Sequence, residues 1–219
     1  GYMKNKVIMV GLASGLSLGS LGYTHCCLED VAVLRGIPNL TILSPADSLE
    51  TVKALVASLS HSESVYIRLT GSVPNEKVYE DDYNFEIGKA ISLKDGDDIS
   101  IFCTGPTVSN ALKASEILKQ KNINASVINF HTIKPIDKKI IMEEVKKKKY
   151  IFTIEEHNVF GGLGSAVSEI ICKSKNQIVL TTIGTNDKYS KSGNYKNLLK
   201  NYKLDIDSVV DKVTEVYKR

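Results

Sequence analysis

The chain has 219 residues, with 28 Lys and Arg against 25 Asp and Glu and 42% hydrophobic residues. That length buries one large core or two small ones, and a net charge of +3 is too slight an excess to mark a nucleic-acid surface. No apolar run approaches the roughly 18 residues of a membrane span, and no signal peptide is expected before the first strand.

The first predicted strand is Lys6–Val10. A glycine-rich loop follows, and then an amphipathic helix carrying Leu28, Val31 and Leu34 that Gly36 and Pro38 stop. Leu40–Leu43 reads as a second strand. Ser44-Pro45-Ala46-Asp47 is a helix start: a hydroxyl to accept from orphan amides, Pro45 at the first helical position, and Asp47 at the positive end. The helix that follows sets Leu49, Val52, Leu55, Val56 and Leu59 on one face, which is expected to point inward. Val65–Leu69 is the third strand and carries Arg68.

From residue 71 to about 84 the periodicity lapses into Gly71, Pro74, Asn75 and acidic residues, the best linker in the chain. Alternation then resumes. Ile99–Thr104 is a strand, and a helix from Thr107 carries Val108, Ala111, Leu112 and Leu118 on one face. Ala125–Phe130 is a strand, Thr132–Pro135 a loop, and Asp137–Lys147 a helix. Tyr150–Ile154 is a strand, followed by a second glycine loop and a helix to about Cys172. Gln177–Ile183 is the last strand, and helices near Tyr195–Lys200 and Asp207–Tyr217 close the chain. Short strands alternating with helices predict α/β architecture: two units with mostly parallel sheets covered on both faces.

None of the four cysteines has a Cys-x-x-Cys spacing, and adjacent Cys26 and Cys27 make a poor metal pair. Cys103 and Cys172 sit in a strand and a helix as small buried apolar residues would, so the thiols read as reduced, in a cytoplasmic protein. Lys146–Lys149 reads as a solvated helix C-terminus favoured by the helix dipole.

The chemistry is expected in the first glycine loop, Ser17–His25, where Gly15, Gly19 and Gly22 permit sharp turns and close approach to a ligand. His25 sits where this loop becomes a helix, with a side chain able to move a proton near neutrality. The bland alternative is a histidine that merely starts a helix. Gly161-Gly162-Leu163-Gly164 opens another helix, but without a dinucleotide fingerprint it reads as packing. Consecutive residues at a strand end do not all face one way, so Glu155, Glu156 and His157 read as loop scaffolding. His131 reads as structural, and His61 as a helix-end residue without an evident partner.

Gly22-Tyr23-Thr24-His25, followed by the run Leu28–Asp47 (LEDVAVLRGIPNLTILSPAD), resembles the pyrimidine-binding domain of the transketolase family. That family also includes 1-deoxyxylulose-5-phosphate synthase and the β subunits of 2-oxo acid dehydrogenases. Glu155–Ala166 resembles the family's C-terminal domain, so the likeness covers nearly the whole chain in order. It implies residues 1–74 as the end of a pyrimidine-binding domain, 75–84 as linker and 85–219 as a transketolase C-terminal domain.

The resemblance implies a function as well. The family transfers a two-carbon ketol unit between sugar phosphates, with thiamine diphosphate as electron sink and Mg2+ holding its diphosphate. In the family pattern the glutamate and aromatic residues that meet the pyrimidine ring lie upstream of Gly1, so on the order of a hundred further residues are expected there. No Gly-Asp-Gly…Asn signature occurs, so this chain alone is not expected to hold the cofactor or the metal. A diphosphate-binding domain or subunit is the expected partner, in a homodimer or larger assembly.

His25 falls on the family's Gly-x-Thr-His histidine, implying contact with the cofactor and proton transfer at the reacting centre. Arg68 falls on an arginine that binds the sugar phosphate; a surface ion pair at a strand end is the alternative. Two places depart from the pattern. Leu21 stands where the family has an Asp that contacts a substrate hydroxyl, and Ala13 where transketolases proper have a histidine. Leu cannot hydrogen-bond a sugar, so a non-standard substrate or lost activity is expected. The opposing reading is a non-catalytic dimerisation or scaffold module of the same fold. A 2-oxo acid dehydrogenase β subunit is disfavoured by the Gly-x-Thr-His loop and by Arg68.

Overall fold

The computed structural model describes residues 1–71, 73, 75–189 and 191–218. Pro74, one of the linker markers, lies outside them. Two sheets organise the chain. The first has the order β1-β3-β2-β7, built from β1 (Ile8–Gly11), β2 (Leu40–Leu43), β3 (Ser64–Arg68) and β7 (Thr132–Lys134). β1, β3 and β2 are parallel, with Gly11 opposite Arg68 and Leu43 opposite Ile67.

The second sheet has the order β4-β6-β5-β8-β9, from β4 (Ile91–Lys94), β5 (Ile99–Cys103), β6 (Ala125–Asn129), β8 (Tyr150–Asn158) and β9 (Val179–Thr185). All its pairings are parallel except β4 with β6. Helices α3 (Thr107–Gln120) and α7 (Ile206–Tyr217) cover the face that carries Ile99, Ile101 and Cys103. Helices α4 (Lys138–Lys147) and α5 (Leu163–Ile171) cover the face that carries Phe102 and Ile128. The two-residue alternation along β5 is thus split between two cores, as a strand buried on both sides requires.

Both strands that the sequence does not announce, β4 and β7, are short and antiparallel. Thr132–Pro135, expected as loop, contains β7, which leaves the second unit and pairs with β2 of the first. Residues 75–84 form neither helix nor strand.

The helix after β2 departs most from expectation. It is α2 (Ser48–Ser60), and it starts after Asp47, whose side chain accepts from the Glu50 amide, rather than at Ser44-Pro45. The apolar stripe is turned outward: Val52 is 60% exposed, Val56 58% and Leu59 63%. Facing inward are Glu50, Ala54 and Ser58. The cause is Glu50, which is held by Ala46 N, Tyr79 OH, Tyr83 OH and Asn129 Nδ2. That satisfied buried carboxylate fixes the rotation of the helix against the pull of its leucines and valines.

The lysine run needs correcting too. Lys146, Lys147 and Lys149 are exposed, but Lys148 is buried against Glu144, which also accepts from Ser100 Oγ and Ser126 Oγ. None of the four cysteines is joined in a disulfide among the described residues; Cys103 is buried as expected, whereas Cys172, expected buried on its helix, is exposed. Among the described residues no helix is long and apolar enough to cross a membrane.

Candidate functional site

Strand β1 ends at Gly11 beside the end of β3, and the loop Leu12–Leu28 springs from that carboxyl edge. Crevices at this edge of a parallel sheet are where α/β folds bind ligands. The loop is closed at its neck by Gly15 N to Cys27 O at 2.8 Å and Cys27 N to Gly15 O at 3.1 Å. Leu16 turns inward and is fully buried with Leu28 and Leu198. Ser17 Oγ donates to Thr70 O at 3.0 Å.

Beyond the neck, two single-turn 3-10 segments, Gly19–Leu21 and Tyr23–His25, present the outer surface. Gly22 joins them at φ +90°, where a Cβ would meet nothing within 4 Å. His25 is exposed, with Nδ1 at 3.0 Å from Thr24 Oγ1. Leu21 and Tyr23, on the same pair of turns, are more than half exposed, and the Tyr23 ring leans on Tyr189 with centroids 5.7 Å apart. Ala13, at the start of the loop, holds a left-handed backbone at φ +64°.

Arg68 is placed differently. It is 4% exposed, and its guanidinium points under the loop rather than into the space beside His25. Nε donates to Asp30, and Nη2 donates to Cys27 O at 3.2 Å and Glu156 O at 3.0 Å. Asp30 also accepts from Tyr66 OH. Burial alone would raise the Asp30 carboxyl, but the charge and hydrogen bond of Arg68, with His157 and Tyr66, outweigh it and hold it below its ordinary value. His25 therefore lies on the exposed outer part of the loop, whereas Arg68 is buried against Cys27 at its neck.

The loop rests on the end of β8. Glu155, Glu156 and His157 are all buried, and each faces a different element. Glu155 accepts from Leu163 N and Gly164 N at the start of α5, so the amides of the second glycine loop are taken by the protein's own carboxylate. Burial pushes the Glu155 carboxyl up to about 7 against the pull of those amides. His157 Nδ1 lies 2.7 Å from Asn158 O, and Nε2 accepts from Ala32 N. Burial, with the Arg68 charge, pushes it down to about 4, so the ring is neutral at pH 7. Glu156 takes the loop itself, accepting from Leu16 N at 2.6 Å and from Tyr195 OH.

His131 is buried against Phe85 at 4.1 Å between ring centroids, and His61 lies 3.0 Å from Thr41 Oγ1. Both are remote from the loop in these contacts. Glu156, read from the sequence as loop scaffolding, does hold a loop, while Asp30 and Tyr195 are partners of the site that sequence reasoning missed. Local pattern marks Asp30 only as a helix start and gives no signal for Tyr195.

The family model of the transketolase pyrimidine binding domain matches residues 1–73, and that of the transketolase C-terminal domain matches residues 88–209. The putative transketolase C-terminal section of Methanocaldococcus jannaschii is 38% identical over 220 residues, covering all of this chain and 68% of that protein. An apulose-4-phosphate transketolase subunit of Phocaeicola vulgatus is 37% identical, over all of this chain and 69% of its own length. Among solved structures, one described as a split gene transketolase, inactive beta4 tetramer, superposes with a TM-score of 0.88 at 31% identity, covering 99% of this chain and 68% of that one.

Proposed function

The chain belongs to the transketolase family, and from that membership we propose that it is one half of a two-subunit transketolase, the subunit that carries the pyrimidine-binding and C-terminal domains. In this reading it joins a diphosphate-binding subunit in the cytoplasm and moves a two-carbon ketol unit between sugar phosphates. The observation that carries the reading is His25, exposed beside open Gly22 on a loop at the carboxyl edge of the first sheet. The whole chain also aligns with a subunit of the apulose-4-phosphate transketolase.

Thiamine diphosphate, when bound in the assembly, supplies the electron sink for cleaving and forming the carbon–carbon bond. In this reading Mg2+ and the diphosphate it binds are held by the partner subunit. This chain's own part is to present His25 to the sugar oxygens, where an imidazole can donate a hydrogen bond or move a proton. Leu21, 59% exposed, offers no hydrogen bond beside it, which favours a substrate that lacks or displaces the hydroxyl normally read there. Arg68 supports the underside of the loop; its buried guanidinium suits that role better than the phosphate fork expected of it. We keep the division into 1–74, 75–84 and 85–219, with β7 returning across it.

The test is ketol transfer by the chain assembled with a diphosphate-binding subunit, thiamine diphosphate and Mg2+. Mass spectrometry would follow the gain of two carbons by a panel of aldose phosphates. His25→Ala should lose at least a hundredfold in kcat while staying folded. The second reading, a non-catalytic scaffold, is favoured by Leu21 and by the relative described as an inactive beta4 tetramer. It stands if the wild-type assembly forms and no acceptor gains carbon.

A further inference from the structure

We infer that Glu156 and Tyr195, both in the C-terminal unit, are positioning residues that hold the His25 loop in its working shape. The inference rests on the functional reading of His25 above. It assigns that unit a task beyond packing.

The loop has little structure of its own. Its neck is one pair of backbone bonds, and its outer part is two single 3-10 turns. Fixing each such residue costs backbone entropy, and isolated 3-10 turns return little of it. The order must come from outside, and the C-terminal unit supplies it at two levels.

At the neck, Glu156 Oε1 accepts from Leu16 N at 2.6 Å, and its Oε2 accepts from Tyr195 OH. A bond from an amide to a carboxylate is among the stronger kinds, and here solvent is excluded. Gly15 makes room for it, because a Cβ there would collide with the Glu156 carboxylate. At the outer part, Gly193 N donates to Gly19 O at 3.0 Å and Ser192 Oγ to Ser20 O at 3.0 Å. Leu198, on α6 (Tyr195–Asn201), packs so close to Gly19 that a Cβ would strike it.

The elements that grip the loop are thus the end of β8, the segment Ser192–Tyr195 and helix α6. The Leu16 contact lies beside the Gly15–Cys27 pair, two residues from His25, and Arg68 joins Cys27 O to Glu156 O from below. Loosening Glu156 therefore frees the neck from which His25 is aimed.

Hydrogen exchange on the isolated chain and ketol transfer in the assembled enzyme test this together. Glu156→Ala should speed exchange over residues 14–27 by at least tenfold, with β5 and β6 unchanged. It should lower kcat at least tenfold, with KM for the acceptor within threefold. Glu156→Gln keeps an oxygen for Leu16 N and should restore both to within threefold of wild type. Tyr195→Phe should fall between and carries the test if Glu156→Ala does not fold. Unchanged exchange in the loop, acceleration spread over both sheets, or no rescue by Gln overturns the inference. A wild-type assembly that transfers no ketol unit while the exchange pattern holds removes the functional reading and leaves the brace in place.

Discussion

Arg68 Nε donates to both carboxylate oxygens of Asp30, at 2.8 and 3.1 Å, and both side chains are sealed from solvent. The pair lies between β3 and α1 (Asp30–Arg35), directly beneath the neck of the His25 loop. A buried pair adds little net stability over apolar packing, but breaking it strands a charge. Its contribution here is geometric: it fixes the first turn of α1, and through Cys27 O it ties the end of the loop to the sheet.

Substitution should show that asymmetry. Arg68→Met and Asp30→Asn should each lower unfolding free energy by about 3–5 kcal/mol, and the double variant should lose less than the sum. The Asp30 carboxyl is held below its ordinary value, so the folded state releases its proton more readily than the unfolded one. Its contribution is complete above the unfolded value of about 4 and is lost as pH falls through the lower folded value. Urea titrations from pH 6 down to pH 2 should show a shallower acid loss in Asp30→Asn. Equal acid slopes would exclude Asp30 as the source.

Glu155 carries the opposite sign. Its carboxyl is raised to about 7 by burial, so between the unfolded value near 4.3 and about 7 the folded state holds the extra proton. Stability from this group is therefore present at low pH and lost as pH rises towards 7. Glu155→Gln gives up one of the two bonds to Leu163 N and Gly164 N, an offset of about 1 kcal/mol, but it cannot titrate. Tm measured from pH 5 to pH 8 should fall less steeply in the variant than in the wild type. Parallel curves would show that Glu155 does not set the slope.

The parallel strands were legible because each is a short apolar run bounded by turn residues, and helix α4 was legible through Asp137 and its periodicity. β7 was not, because three residues ending in a lysine carry no pattern; only the partner strand β2 makes them a strand. His25 was found through its glycine loop and the family motif. Glu156 was not separable from Glu155 and His157, since which of three neighbours meets the loop depends on the twist of β8 and on Tyr195, 39 residues away. Arg68 was legible as important, but its direction was set by Asp30, which local pattern marks only as a helix start.

Helix α2 gives a direct check on the inverted face. Val56 and Leu59 bury little, while Ala54 is fully buried under β3 and β2. Val56→Gln with Leu59→Gln should leave the Tm of the isolated chain within about 2 °C, as expected for exposed positions. Ala54→Leu should cost about 1–3 kcal/mol through overpacking. The reverse ranking in thermal melts would restore the conventional orientation of the stripe.

The rotation of α2 depends on Glu50, so its removal should be far more damaging than loss of the leucines. Glu50 Oε1 accepts from Tyr79 OH at 2.9 Å, Tyr83 OH at 2.7 Å and Asn129 Nδ2 at 2.9 Å, and Oε2 accepts from Ala46 N at 2.6 Å. These donors come from α2's own entry, the 75–84 segment and β6, so one carboxylate joins both units and the chain between them. Glu50→Ala leaves several of these donors unpaired at about 1–3 kcal/mol for each buried group, a total loss on the order of 3–5 kcal/mol after relaxation. Tyr83→Phe removes one partly buried partner and should cost about 1 kcal/mol. In a double-mutant cycle, the Tyr83→Phe penalty should vanish in the Glu50→Ala background, because the hydroxyl has already lost its acceptor. Guanidinium unfolding of the four proteins measures it; additive penalties would mean that Tyr83 and Glu50 stabilise the chain independently.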